Sequence, residues 1–419
     1  MTAPLAESSG RTARIGRGTA AMTLAASAAA PRFQRVTLSV LVAVSVCHML
    51  NDIMQSLLAS LYPLLKQNYD LDFVQIGLLT MTFQVTASLL QPVVGIVTDR
   101  WPLPYSLPVG MLSTMCGLVL LSRADSFALL LVAASLVGFG SAVFHPESSR
   151  IARLASGGRH GFAQSLFQLG GNAGTAIGPL LAAFVVLPFG QSSIAWFASI
   201  AMLGIVILGW AGRWYSGQRR LQADRAPPSR SLPLPRRDVL AALGILILLT
   251  ATKNVYMASI SSYFTFFVIE KFQLTVREAQ LMLFLFLGAA AVGTFAGGPI
   301  GDRFGARFVI WFSILGVIPF ALMLPYADLF FTGVLSIVIG MILASAFPAI
   351  VVFAQELLPG RVGLVAGIFF GFAFGAGGLG AAVLGSFADT RGIEFVYGVV
   401  SYLPLLGLAT ILLPRLQPH

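Results

Sequence analysis

Apolar residues in this chain collect in long runs of about 20, separated by short breaks carrying glycine, proline or charge. A helix rises about 1.5 Å per residue, so each run is long enough to cross a hydrocarbon core of roughly 30 Å. A membrane β-barrel would instead show shorter segments alternating apolar and polar. Composition agrees: 57% of the 419 residues are hydrophobic and 10% charged, against about 25% charged in a soluble domain. Lipid is therefore the solvent for most of the surface, and the fold class is an all-α polytopic membrane protein. Twelve transmembrane helices are expected at 36–65, 74–98, 105–122, 126–147, 161–187, 192–212, 239–269, 278–300, 307–325, 328–356, 362–387 and 394–414.

Orientation follows from charge. With the N-terminus inside, cytoplasmic segments hold 20 of the 26 Lys and Arg, external loops hold five, and Lys253 lies inside a span. The external loops carry Asp70, Asp72, Asp125, Glu270, Glu278, Asp328, Asp389 and Glu394. Positive charge stays on the cytoplasmic side of bilayers, which places both termini in the cytoplasm. The net charge of +10 thus reports topology and contact with anionic membrane lipid, and gives no sign of a nucleic-acid partner. Residues 1–35 read as a flexible cytoplasmic tail, because the Ala-rich patch Met22–Ala30 is too weakly apolar for a signal-peptide core. Cys47 and Cys116 fall in different spans without Cys-x-x-Cys spacing, so no disulfide framework is indicated.

The chain divides into 36–212 and 238–419 around a basic cytoplasmic linker, 213–237, with seven Arg against one Asp. The two parts repeat. Gly95-Ile-Val-Thr-Asp99-Arg100 after the second span matches Gly298-Pro-Ile-Gly-Asp302-Arg303 after the eighth, and the same shift of 203 residues aligns Asn51 with Asn254. Glu147 and Glu356 correspond at a shift of 209. A parallel repeat of six helices places a substrate site between the halves near the midplane. The pattern Gly-x-x-x-Asp-Arg-x-Gly-x-Arg, complete from Gly298 to Arg307, resembles the signature of the major facilitator superfamily. In the first copy Pro102 and Pro104 replace its last Gly and Arg. Gly174-Thr-Ala-Ile-Gly178-Pro179 resembles the antiporter signature of drug-exporting members, without its trailing glycines. Further stretches, among them "FHPESSRIARLASGGRHG" and the run from Ala354 to Gly385, resemble exporters of a small phosphonate antibiotic bearing a hydroxamate. The resemblance implies proton-driven efflux across a bacterial inner membrane.

Polar residues inside a membrane cost free energy and usually face the bundle interior, so each is a candidate site residue. His48, Asn51, Asp52 and Gln55 share one face of the first span, at i, i+3, i+4 and i+7. Gln84, Ser88 and Gln91 share a face of the second, and Gln164, Gln168 and Asn172 one of the fifth. Lys253 and Asn254 lie in the seventh, followed by Tyr256 and Tyr263. Asn51, Gln84, Gln168, Asn172, Lys253, Asn254, Tyr256 and Tyr263 form the candidate substrate set. Lys253 would anchor an anion, or else pair with Asp52. A mid-helix carboxylate beside an imidazole suits a proton carrier, which makes Asp52, His48 and Glu147 the coupling candidates. The bland alternatives are interhelical hydrogen bonds of about 1–2 kcal/mol each and a structural His48–Asp52 pair. A metal site at His48, Asn51 and Asp52 is disfavoured because no second histidine is close.

Asp99, Arg100, Glu147, Arg150, Asp302, Arg303, Glu356 and Arg361 cluster at cytoplasmic helix ends and suggest a gate, the alternative being anchoring in the headgroup region. Asp302→Asn is expected to impair cycling as badly as Asp99→Asn. His145 would line the cytoplasmic vestibule where Pro146 breaks the helix. Gly371–Gly385 follows no strand and carries no Lys, so it reads as close helix packing, and no cofactor is indicated. No nucleophile, metal cluster or large loop at either interface suggests an enzyme. The partners expected are a small-molecule substrate, protons and membrane lipid. A multidrug or metabolite carrier of the same fold, working even as an importer, stays open alongside the exporter.

Overall fold

The computed structural model describes residues 36–71, 73–223 and 231–415. The expected tail at 1–35 and the middle of the linker lie outside them. Twelve helices are long and apolar enough to cross a membrane. In the first half they are α1 (Leu38–Leu58), α2 (Leu78–Arg100), α3 (Ser106–Arg123), α4 (Phe127–Ala155), α5 (His160–Phe189) and α6 (Gln191–Leu221). In the second they are α7 (Arg236–Phe272), α8 (Leu281–Phe304), α9 (Ala306–Tyr326), α10 (Leu329–Leu357), α11 (Val362–Arg391) and α12 (Ile393–Leu412). Within the first half α1 packs on α5 and α3 on α4; within the second α8 packs on α10 and α7 on α11. The halves meet where α2 crosses α11 and α5 crosses α8.

Two helices run eight or more residues past their expected ends. α6 runs on to Leu221, carrying Arg213, Arg219 and Arg220 on helix rather than linker, because Arg, Gln and Leu are all strong helix formers. Arg219 reaches back to the Pro102 carbonyl at 3.0 Å. α4 passes through Pro146 without a break and runs eight residues beyond the expected end. A proline inside a membrane span finds no water to reward an opened backbone, and neighbouring helices take up the freed groups. Pro348 of α10 shows how: it cannot donate to the Ala344 carbonyl, and the Thr294 hydroxyl of α8 lies 3.5 Å from that oxygen. The regular helix of α10 is interrupted there for one residue, at Ser345.

One apolar core begins in the first half around Met54, Leu57, Phe144 and Phe167 and continues across the interface to Phe347, Phe369 and Phe370. A second, around Tyr256, Phe264, Phe286 and Tyr397, belongs to the second half alone.

Candidate functional site

Helical spacing brings the four polar residues of α1 onto one face, and α4 and α5 close around it. Asp52 is the centre. Asn51 donates to Asp52 Oδ1 at 3.0 Å and Gln55 to the same oxygen at 3.2 Å. Thr175, inside the Gly174–Gly178 stretch of α5, also hydrogen-bonds to the carboxylate. The fit depends on glycine: a Cβ at Gly171 would meet the His48 ring and Asp52, and one at Gly174 the backbone of Met49. His48 Nδ1 donates to the Phe167 carbonyl at 2.7 Å, which leaves Nε2 as the lone-pair nitrogen, 3.5 Å from Asp52 Oδ2.

His145 does not line a vestibule. It is wholly buried, and its Nε2 lies 3.8 Å from Asp52 Oδ1. Its Nδ1 donates to the Ser141 carbonyl at 3.0 Å, and Ser141 in turn donates to Gln55 at 2.8 Å. The expected helix break at Pro146 would have turned this ring away; the unbroken α4 turns it inward. A second imidazole therefore does stand beside Asp52, against the ground on which a metal was disfavoured. The donor atoms of His48, Asp52 and His145 lie within 4.8 Å of one another. Those three can hold a transition-metal ion if they close to roughly 2.0–2.2 Å from it. As they stand, the 3.5 and 3.8 Å separations put both imidazole Nε2 atoms at electrostatic range of the carboxylate, beyond a direct hydrogen bond.

The candidate substrate residues are dispersed. Lys253 is buried, and its Nζ sits over the Phe347 ring at 5.3 Å with neither a hydrogen bond nor an ion pair to a described residue. It shares a small cleft with Tyr256, Ile314, Val317, Leu343 and Pro404. The suggested Lys253–Asp52 pair is not formed, since the ion pairs of Asp52 run to the two imidazoles. Asn254 spends its amide donor on the Thr250 carbonyl of its own helix, and Tyr256 is packed into the second apolar core. Tyr263 donates to Ala381 of α11, tying α7 to α11. Asn172 donates to Thr294 of α8 at 3.3 Å, across the halves. Gln84 and Gln168 are half-buried, with Gln84 facing Gly378 of α11.

Aromatic rings link the two ends of this site. His48 stacks on Phe167 at 4.0 Å, Phe167 meets Phe370 edge-on at 5.9 Å, and Phe370 meets Phe347 at 5.2 Å. Phe347 in turn lies under Lys253. The chain of contact runs from the carboxylate cluster of the first half to the lone cation of the second. Nothing in the sequence marks these phenylalanines among the 32 present, because a ring in an apolar run reads as ordinary lipid-facing or core residue.

The gate candidates separate into two groups. The Asp99 carboxylate accepts the backbone N–H groups of Gly363 and Leu364, the second and third residues of α11, at 3.0 and 2.8 Å. Asp302 accepts those of Gly161 and Phe162, the second and third residues of α5, at 2.7 and 2.8 Å. Each signature carboxylate thus occupies the anion-binding N-terminus of a helix in the opposite half. The signature glycines make this possible: a side chain at Gly95 would strike the Gly363 backbone, and one at Gly298 the Gly161 backbone. Arg150 donates to Asp99 at 2.7 Å and pairs with Glu147 at 3.0 Å, which places Glu147 in the gate and apart from the His48–Asp52 cluster. One layer further in, Gln355 bridges the halves between Ser149 and Arg153 at 3.2 and 3.0 Å, and Glu356 lies in the electrostatic range of Arg153. Arg100, Arg303 and Arg361 are exposed, the first two lying over Trp101 and Phe304. The bundle is therefore drawn together at its Arg-rich end.

Sequence comparison agrees with this architecture. The profile of the Major Facilitator Superfamily matches residues 44–275 and 246–419. The fosmidomycin resistance protein of Escherichia coli K12 is 57% identical over 391 residues, which is 93% of this chain and 96% of that one. An uncharacterized transporter of the superfamily in Bacillus subtilis is 39% identical, with 90% and 93% covered. Among solved structures, FucP in its outward conformation superposes with a TM-score of 0.70 at 15% identity, covering 90% of this chain and 98% of that one. The human organic anion transporter MFSD10 gives 0.68 at 18%, covering 91% and 100%. The chain belongs to the major facilitator superfamily: it is a multi-pass membrane transporter and not an enzyme.

Proposed function

We propose that the protein exports fosmidomycin or a closely related small phosphonate, driven by protons entering across a bacterial inner membrane, with both termini in the cytoplasm. The relative with 57% identity over nearly the whole chain supports the substrate. The observation that carries the coupling is the buried Asp52 carboxylate facing two imidazole nitrogens, with no described Lys or Arg paired to it. Such a group can take up a proton without leaving a permanent cation beside it unpaired. Lys253 is the anion anchor in this reading: it holds positive charge inside the bundle with no counter-charge among the described residues, and a phosphonate supplies one. Proton and anion then bind in opposite halves, so each can be taken up or released in a different state, which antiport requires. Expelling an anion from a negative-inside cell is itself downhill by about 2.3 kcal/mol per charge per 100 mV, and proton entry adds to that drive.

The test uses inside-out vesicles, an imposed pH gradient and labelled fosmidomycin. Wild type accumulates label when the lumen is acidified. Asp52→Asn is expected to lose gradient-driven accumulation while keeping exchange between equal pools, and Lys253→Met to lose both at normal abundance. Gradient-driven accumulation by Asp52→Asn at the wild-type rate overturns the coupling role, and accumulation by Lys253→Met overturns the anchor. Transport by wild type in which label follows rather than opposes the proton favours the importer reading.

A further inference from the structure

A second feature of the bundle stands apart from the polar site. Between α2, α7, α11 and α12 lies a cavity of about 710 Å³, lined among others by Ser88, Pro92, Val255, Gly375, Leu379 and Val399. Its size falls in the range of small-molecule pockets, about 300–1,000 Å³. Leu379 and Val399 at its rim are 70% and 48% exposed, so in a membrane the cavity opens sideways into hydrocarbon.

Two observations independent of its shape point to a ligand. α2 makes a π turn over Val85–Leu89, a local widening that appears often at functional sites. Inside that turn Ser88 is 6% exposed, lines the cavity, and its hydroxyl has no hydrogen-bond partner. A helical serine or threonine in lipid ordinarily donates to the carbonyl three or four residues back. Three of the other hydroxyls of α2 do so: Thr80 to Ile76, Thr86 to Thr82 and Thr98 to Val94, all at 2.8–2.9 Å. Ser88 holds a buried donor without a partner, in the wall of an otherwise apolar space.

We propose that this cavity is a second ligand site, taking an uncharged, mostly apolar small molecule with one hydrogen-bond acceptor that enters from the bilayer. The apolar walls bind its body and Ser88 receives its acceptor. A phospholipid chain fits the walls but not the hydroxyl, since its ester carbonyls sit at the interface while Ser88 is near the middle of its span. Ala251 and Val255 present the face of α7 opposite Lys253, so the site does not depend on the phosphonate reading.

The probe is Nile red, uncharged and carrying a carbonyl acceptor, titrated into detergent-purified protein with fluorescence as readout. Wild type should bind saturably. Ala376→Trp, which fills the cavity, should weaken binding at least tenfold, and Ser88→Ala by about threefold to tenfold, the worth of one net hydrogen bond. Should Ala376→Trp fail to purify as a monodisperse species, Ala376→Val serves at smaller expected effect. Binding unchanged by both the cavity-filling and the Ser88 variants overturns the site. So does a lipid retained by purified wild type, absent from Ala376→Trp by mass spectrometry, with no saturable Nile red binding to either. Fosmidomycin transport is read separately, and its absence leaves this test intact.

Discussion

The two copies of the signature motif make the same contact in different surroundings. Asp99 and Asp302 each accept from the second and third N–H groups of a helix across the interface, so the repeat has kept the cap to the residue. Around Asp99, however, stands a buried network: Arg150, Glu147 and both the hydroxyl and carbonyl of Thr98, the latter two at 2.9 and 2.8 Å from the guanidinium. Around Asp302 no side chain of α10 takes that part. The residue aligned with Arg150 is Pro359, and the carboxylate is exposed. The backbone cap is what both halves need to close; the internal counter-charge is an addition made once. A neutral Asp302 leaves only the solvent-exposed Arg159 without its nearby charge, whereas a neutral Asp99 takes one of its two carboxylate partners from a buried guanidinium.

That difference is open to attack. Arg150→Met strands two carboxylates, Glu147 buried and Asp99 beside it, and breaking a buried pair typically costs about 3–5 kcal/mol. We expect fosmidomycin counterflow to fall at least 100-fold, with faster thiol labelling of Gln355→Cys from the Arg-rich end in a Cys116→Ser background. Labelling that stays slow while transport vanishes would mean Arg150 acts elsewhere than in closure. Asp99→Asn should follow closely, at about 30-fold by the same reasoning with one pair remaining.

Phe370→Leu probes the join between the halves. It keeps volume roughly constant but removes the ring lying between Phe167 and Phe347, an aromatic contact worth about 0.5–1.5 kcal/mol per pair. Gradient-driven transport should drop about tenfold while exchange between equal pools drops less than threefold. An equal loss in both would make the ring mere packing. Asp302→Asn comes next, with a fall of about twofold to fivefold, since only neutral-to-charged hydrogen bonds are weakened. This departs from the equal effect that sequence symmetry suggested, and counterflow rates for the two Asn variants side by side decide it. A loss at Asp302 matching that at Asp99 would make the caps, and not the Arg150 network, the seat of closure.

The smallest effect lies outside the membrane. Thr275 and Glu278 form a capping box at the start of α8's helix, in which the Thr275 N–H and O–H both donate to Glu278 at 2.9 and 2.7 Å. These bonds hold the Glu278 carboxyl below its ordinary range. The stabilisation is therefore present above the unfolded Glu pKa of about 4.3 and is lost as pH falls through the lower folded value. Glu278→Gln should lower the melting temperature slightly at about pH 7 and not at all at about pH 3, with transport unchanged. A difference that persists in acid would rule out the ionised cap as its cause.

Much of this architecture is written in local chemistry. Run length against bilayer thickness determines that the chain spans as helices, and the repeat of Gly95–Arg100 in Gly298–Arg303 marks both cross-half contacts before any fold is drawn. The i, i+3, i+4, i+7 spacing alone places His48, Asn51, Asp52 and Gln55 on one face of α1. Other features needed the assembled bundle. Whether Pro146 breaks α4 depends on what surrounds it, and the unbroken helix is what brings His145 to Asp52, 93 positions away. Lys253 and Asp52 are both interior ions, yet only the packing of α7 against α9, α10 and α12 turns one from the other. The phenylalanines between them and the stranded hydroxyl of Ser88 carry no signal in one dimension, because a residue's period tells which way it faces on its own helix and says nothing of what the neighbouring helix puts there.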